Sequence, residues 1–216
     1  MKKLLMFALF LSLSATLASA EILTIANPIG QGKIGVLGAY MQDQNYSNIS
    51  GATLGSVGGY VGYGIIENLD VLVQAGSATA NGLPVTASLT GYGAILKYTV
   101  VNEGPVLPVS VAVGAGYKFV AATQAGFNMN GNQAVAAVGI SKMMIPFIPY
   151  GGIAYRKSTL VATDLSSQMD ITVGTAIAWS AQGAVMIEYT LQSVTAAVGS
   201  VNYSSGQMAA GVAYRI

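Results

Sequence analysis

The chain has 216 residues, 53% hydrophobic and only 8% charged, with a formal net charge of +1 and neither cysteine nor histidine. Soluble domains carry roughly 25% charged residues, so a water-wetted surface is disfavoured, and the near-neutral balance argues against nucleic acid or a highly charged partner. The missing cysteine excludes disulfides and a lipid-bearing cysteine. The missing histidine excludes Ser-His hydrolases, Asp-His proteases and nearly every His-ligated metal site.

The first element is a leader. Met1, Lys2 and Lys3 precede an apolar run from Leu4 that ends at Ala18-Ser19-Ala20, the layout of a cleaved secretory signal peptide over residues 1–20. Its removal takes away two basic residues and leaves seven against eight acidic ones, in a single domain over 21–216. No later stretch reaches the ~18 continuous apolar residues of a spanning helix. High hydrophobicity without such a run is the mark of transmembrane strands, whose apolar and polar residues alternate.

The alternation is explicit. Val109, Val111, Val113, Ala115, Tyr117 and Phe119 interleave with Ser110, Ala112, Gly114, Gly116 and Lys118. Ile171, Val173, Thr175, Ile177 and Trp179 interleave with Thr172, Gly174, Ala176, Ala178 and Ser180. Successive strand residues point to opposite faces, so each segment has one greasy face and one small or polar face.

Turn-forming clusters at 43–51, 80–86, 123–131, 160–170 and 195–205 alternate with tighter breaks at Glu67-Asn68, Asn102 to Pro105, Pro146 to Pro149 and Ala181 to Gly183. Ten strands result, at 33–42, 53–66, 69–79, 87–101, 107–121, 132–145, 147–159, 170–180, 183–194 and 205–216. An even count places both termini on one side. The fold expected is all-β, a transmembrane antiparallel up-and-down β-barrel of about ten strands. Eight would follow if two weak segments failed to pair, and twelve if 22–31 and a loop became strands. The longer connections are expected on the outer side and the short turns on the inner side.

The last strand runs to the final residue, with Met208, Ala210, Val212, Tyr214 and Ile216 on its apolar face. In the sixth, Ala134, Ala136, Val138 and Ile140 face out, and the same parity places Lys142 outward, near a rim where it could snorkel. Lys157 in the seventh also falls outward. In the ninth, Val185, Ile187, Tyr189 and Leu191 face out.

Aromatic positions test this layout. Tyr63, Tyr98, Trp179 and Tyr214 fall outward near the short-turn ends of their strands, and Tyr40, Phe119 and Tyr155 toward the opposite ends. Two belts of amphipathic rings are expected at the two membrane interfaces. The simpler alternative is that aromatics favour strands.

By the same parity Lys97, Lys118, Arg156, Glu188 and Arg215 face a wet lumen, with Lys33 and Asp70 as further candidates. Ionisable groups at membrane depth face water or one another. Glu188 is therefore expected either to pair with Lys97 or Arg156, or to be solvated like the others. Gly58, Gly59, Gly62, Gly114 and Gly116 are read as room for a curved wall rather than a phosphate loop, since no helix follows them. Asp43 and Asp164 are expected in loops, and Glu67 and Glu103 in turns. Asp164 and Asp170 make no dense calcium loop. Asn45-Tyr-Ser47 and Asn202-Tyr-Ser204 match the glycosylation pattern by chance. No cofactor and no catalytic or metal constellation is expected.

Gly62-Tyr-Gly-Ile-Ile-Glu-Asn-Leu-Asp-Val71 and Leu107-Pro-Val-Ser-Val-Ala-Val-Gly-Ala-Gly-Tyr117 resemble the strand–turn–strand units of small Gram-negative outer-membrane proteins, the OmpA-type and porin-like barrels. The final strand resembles the C-terminal signal read by the barrel-insertion machinery, although it ends in Ile216 rather than Phe and keeps Tyr214 two residues earlier. The resemblance covers essentially the whole mature chain and carries no catalytic residue. It implies the bacterial outer membrane as location. It also implies membrane lipid, the insertion machinery and periplasmic chaperones as partners, and a monomer. The function implied is a narrow passive pore or a structural envelope barrel. Surface adhesion through the outer loops is the rival, and an enzyme is not expected.

Overall fold

A computed structural model describes residues 26–44, 53–81, 87–124, 127–160, 163–196 and 202–216. Ten strands form one closed antiparallel barrel: β1 (Ile34–Gln44), β2 (Thr53–Ile66), β3 (Leu69–Asn81), β4 (Ala87–Val101), β5 (Ser110–Gln124), β6 (Phe127–Ser141), β7 (Phe147–Leu160), β8 (Thr163–Ala178), β9 (Gly183–Ala196) and β10 (Asn202–Arg215). Each strand pairs with its neighbours in sequence, and β10 returns to β1 with Gly35 opposite Arg215 and Val36 opposite Tyr214. Reciprocal backbone bonds between Ile34 and Ile216, at 3.1 and 2.7 Å, complete the seam. Closure leaves no strand edge, the condition for a sheet in lipid.

The two faces invert the usual order of a soluble protein. Val113, Tyr117 and Phe119 on β5, and Ile171, Val173 and Ile177 on β8, are exposed, while Ala112 and Ala176 between them are completely buried. Asp70, Lys97, Arg156, Asp170 and Glu188 are buried inside the wall. A solvent that is apolar outside the barrel accounts for both observations.

The strands run longer than their alternation suggested. Parts of 123–131, 160–170 and 195–205, expected as loops, belong to β5, β6, β8, β9 and β10. Only two residues separate β5 from β6 and β7 from β8, whereas eight separate β4 from β5 at the other end. The expected contrast of longer loops on one side and short turns on the other therefore does not hold. Ser166, Gln168 and Asp170 explain the misreading: their polarity suggests a loop, but all three are buried on the inner face. A 14-residue strand is about 46 Å long at ~3.3 Å per residue. At a tilt near 40° it extends roughly 35 Å along the axis, beyond the ~25 Å apolar band.

Asp43 and Asp164 are likewise in strands β1 and β8 rather than loops. β6 stops at Ser141, so Lys142 lies just past the strand, its N–H donating to the Pro149 carbonyl at 3.0 Å. β8 ends at Ala178, leaving Trp179 exposed beside it. Asn202 lies in β10. The leader at 1–20 and the Asn45-Tyr-Ser47 site are outside the described residues.

Candidate functional site in the lumen

The lumen is filled in three layers. The first, at the end where both termini meet, is built by a segment that alternation does not reveal. Residues 26–33 cross the barrel mouth before β1 begins. The Ala26 N–H donates to Ser141 Oγ at 3.0 Å, on β6, five places around the barrel from β1. The Ala26 carbonyl accepts from Thr99 Oγ1 at 2.9 Å, and the Asn27 carbonyl from Lys97 Nζ at 2.9 Å. The Ile29 N–H reaches both Asp70 carboxylate oxygens at 3.2 and 3.1 Å. Asp70 in turn pairs with Lys97 at 3.0 Å, both side chains buried.

Two glycines let this strap rejoin the wall. Gly30 and Gly32 have φ of 98° and 72°, a left-handed conformation that costs other residues. The Gly32 N–H then donates to the Gly64 carbonyl at 2.9 Å, and the Gly64 N–H to the Lys33 carbonyl at 3.0 Å. Gly64 has no alternative here, because a Cβ would overlap the Gly30 carbonyl.

The second layer is apolar. Leu72, Ile95 and Val135 form one buried cluster, packed by Ile29 of the strap. Leu37, Ala39, Tyr150, Ala176 and Met186 form another, and Tyr60 packs against both. The Tyr150 hydroxyl donates to Glu188 Oε2 at 3.3 Å.

The third layer, toward the far end, is largely polar, its side chains bonded between neighbouring strands around the wall, with Met41 and Leu89 also buried there. Arg156 Nη2 sits 2.6 Å from Asp170 Oδ2, each side chain 1% exposed. Gln168 Nε2 donates to the other Asp170 oxygen at 2.6 Å. Gln133 bonds Ser158, Thr172 bonds Thr190, and Gln192 joins Ser205 to Gln207. Lys118 is buried opposite Gly93, where a Cβ would crowd the lysine stem. Among the described residues one space of about 10 Å³ is lined by Leu37, Met186 and Glu188, and another of the same size by Gln74, Gly91 and Lys118. Each is near the lower limit for holding one water molecule.

Of the charged residues expected on the wall, Lys97, Lys118, Arg156 and Glu188 are buried inside. Arg215 is exposed at the rim, where its guanidinium donates to the Ala181 carbonyl at 3.3 Å, because it is the last paired residue of β10. Lys33 is also exposed. Glu188, expected either to pair with Lys97 or Arg156 or to be solvated, belongs to neither ion pair: Lys97 pairs with Asp70 and Arg156 with Asp170. The strand order was legible, but which acids reach Lys97 and Arg156 was not. Asp70 faces Lys97 directly in register on the adjacent strand, whereas Glu188 on β9 lies five strands from β4. Asp170, read from its neighbours as the end of a loop, is a lumen residue.

Tyr40, Tyr63, Tyr98, Phe119, Tyr155, Trp179 and Tyr214 are all exposed on the outer face. Tyr92 and Tyr117, which are not among the expected rings, pack against Phe119 with ring centroids 5.3 and 5.5 Å apart, the second edge-on. Among the described residues no group of three or more Asp or Glu is placed to hold a metal ion.

No protein-family model matches the chain, and no curated protein matches it in sequence. Solved structures do. The translocator domain of the autotransporter NalP from Neisseria meningitidis aligns over 87% of this chain and 89% of that one, at 11% identity and a TM-score of 0.53. The fold is that of an outer-membrane β-barrel. The β domain of the Bordetella autotransporter BrkA aligns over 86% of this chain and 100% of that one, at 10% identity and a TM-score of 0.51. The outer-membrane protease OmpT from Escherichia coli is more distant, at 10% identity, 85% and 97% coverage and a TM-score of 0.45.

Proposed function

We propose that the protein is a structural barrel of the bacterial outer membrane, exported by its leader and monomeric, whose lumen is closed to solutes. Within the choice between a passive pore and an envelope barrel, the observation that favours the second is the filled interior. The strap occupies one mouth, an apolar layer follows, and in the far half the inward side chains are buried and bond one another between neighbouring strands. A conducting filter needs a continuous path lined by groups that hold an ion only weakly. The side chains here are engaged with one another instead.

The outward rings at Tyr63, Tyr98, Trp179 and Tyr214, and at Tyr40, Phe119 and Tyr155, would seat the barrel at the two lipid interfaces. The exposed row Met208, Val212, Tyr214 and Ile216 on the closing strand is the surface offered to the insertion machinery. Periplasmic chaperones would hold such an apolar chain before insertion.

Planar-bilayer recording tests the reading. Protein whose folding is verified by heat-modifiable gel migration should give no conductance steps. Regular steps from the native chain would reject the closed barrel in favour of a pore.

A further inference from the structure

We propose that the β4–β5 and β6–β7 turns are immersed in the acyl chains of the membrane leaflet at the terminal end. One side of the barrel therefore sits deeper than the other. The inference rests on the membrane-barrel reading above but concerns a surface that reading does not use.

The tips of both turns are apolar and outward. Val106 is 90% exposed and Ile145 79%, with Leu107, Met143 and Met144 exposed beside them. In water such a cluster would be costly, because large apolar side chains are stabilised on leaving it. It is continuous with the exposed apolar wall of the same strands: Tyr98 and Val100 on β4, Val113 on β5, and Val138 and Ile140 on β6. That wall is the lipid-facing surface, so acyl chains are the occupant that continuity assigns.

Part of the backbone of these turns is satisfied internally. In hydrocarbon every polar backbone group needs an internal partner. Pro105, Pro108, Pro146 and Pro149 have no N–H to satisfy. The Gly104 N–H bonds the Leu107 carbonyl at 2.8 Å, and Met144 and Phe147 exchange bonds at 2.8 and 2.9 Å. The Ala178 N–H bonds the Pro146 carbonyl at 2.8 Å. The Met143 N–H bonds Glu103 Oε2 at 2.7 Å, tying the two turns together and engaging the one carboxylate between them.

The opposite arc of the same rim has another character. Ser180, Ala181 and Gln182 at the tip of the β8–β9 turn are exposed, as are Gln31, Lys33 and Arg215 around the β10–β1 seam, beside the exposed Trp179, Tyr214 and Ile216. That seam lies directly across the closed strand order from the β5–β6 pair. A rim whose turn tips are apolar on one side, and polar above an interfacial Trp179 and Tyr214 on the other, sets a tilted membrane boundary.

The native chain has no cysteine, so single labels are unique. Val106→Cys, Met144→Cys and Ala181→Cys would each carry an environment-sensitive fluorophore in the full mature chain. Val113→Cys serves as the lipid-facing control. Each is refolded into phosphatidylcholine vesicles with and without doxyl-labelled acyl chains, and folding is checked by gel migration. Labels at 106 and 144 should emit blue-shifted light and lose intensity with the doxyl lipid, as at 113. The label at 181 should emit as in water and be quenched by aqueous iodide. Water-like emission at 106 and 144 would overturn the proposal. Blue-shifted emission that doxyl lipid leaves unquenched, with disulfide-linked dimers of Met144→Cys, would overturn it in favour of a contact between copies. Loss of lipid quenching at 113 as well would overturn the membrane-barrel reading, and this inference with it.

Discussion

The two ends of the lumen solve one problem differently. Each contains an ion pair between adjacent strands, Asp70–Lys97 near the termini and Arg156–Asp170 in the far half. At the far end the wall closes itself, with Gln168 completing the coordination of Asp170. At the terminal end the pair serves a third party: Asp70 accepts from Ile29 and Lys97 donates to Asn27, so both charges hold the strap. The same chemistry therefore supports the wall in one place and a separate segment of chain in the other. Perturbing the first should change stability alone, and perturbing the second should also open the mouth.

The largest effect is expected beneath the strap. Ala112 faces inward, completely buried, in register with Thr99 and Gly139. The wet lumen expected from the sequence would tolerate Arg there better than on the lipid face. The filled lumen reverses that order. Ala112→Arg adds volume where overpacking typically costs ~1–3 kcal/mol, and it places an unpaired charge among groups already bonded, at several kcal/mol more. Val113→Arg, on the lipid face, costs about 2–4 kcal/mol near the bilayer midplane. Reversible urea unfolding in lipid vesicles should rank Ala112→Arg as the worse. The opposite rank would mean that the strap layer is hydrated and yields easily.

Next come the pairs themselves. Breaking a buried pair by removing one partner costs about 3–5 kcal/mol. Arg156→Met and Lys97→Met should both fall in this range by vesicle unfolding. They should differ in a second measurement. With Thr99→Cys as the only thiol, a membrane-impermeant maleimide added at the terminal side should label the Lys97→Met background faster than the Arg156→Met background. Equal labelling would show that the strap does not depend on Lys97.

That contrast also marks what could be read from the sequence. Strand period, closure, the outward rings and the inward Lys97, Lys118, Arg156 and Glu188 follow from a two-residue alternation, which is local. The partners of Lys97 and Arg156 depend on the register between neighbouring strands and on which acids lie on the inner face at all, which is not. Glu188 seemed the natural acid because it was the only acidic residue placed inside with assurance, while Asp170 was hidden among Ser166, Ser167 and Gln168. The strap was missed because it is neither strand nor helix. Its one signal was Ile22 to Ile29, too apolar for a linker in water, followed by Gly30 and Gly32 just before the first alternating run.

A smaller change tests the strap through its backbone. Gly64→Ala places a methyl group against the Gly30 carbonyl, which is backbone and cannot rotate away. Either the strap or β2 must shift, for about 1–3 kcal/mol. If the strap gives way, maleimide labelling of Thr99→Cys should rise while the wall stays folded. Unchanged labelling with full stability would mean that the approach of Gly30 to Gly64 is looser than the geometry indicates.

The smallest effect is expected at Glu188, between the two ends. Its carboxylate accepts from the Tyr150 hydroxyl at 3.3 Å and belongs to neither ion pair. Glu188→Gln keeps an acceptor in the same place and removes a charge, so the Tyr150 contact survives. A neutral hydrogen bond contributes ~0.5–1.5 kcal/mol, and only part of that is at risk. The unfolding midpoint should move little, and planar-bilayer conductance should stay absent because the strap and the apolar layer are untouched. A variant that conducts would identify Glu188 as the group that closes the lumen. Closure would then rest on a single side chain at mid-height, and the distinction between the two ends would lose its functional meaning.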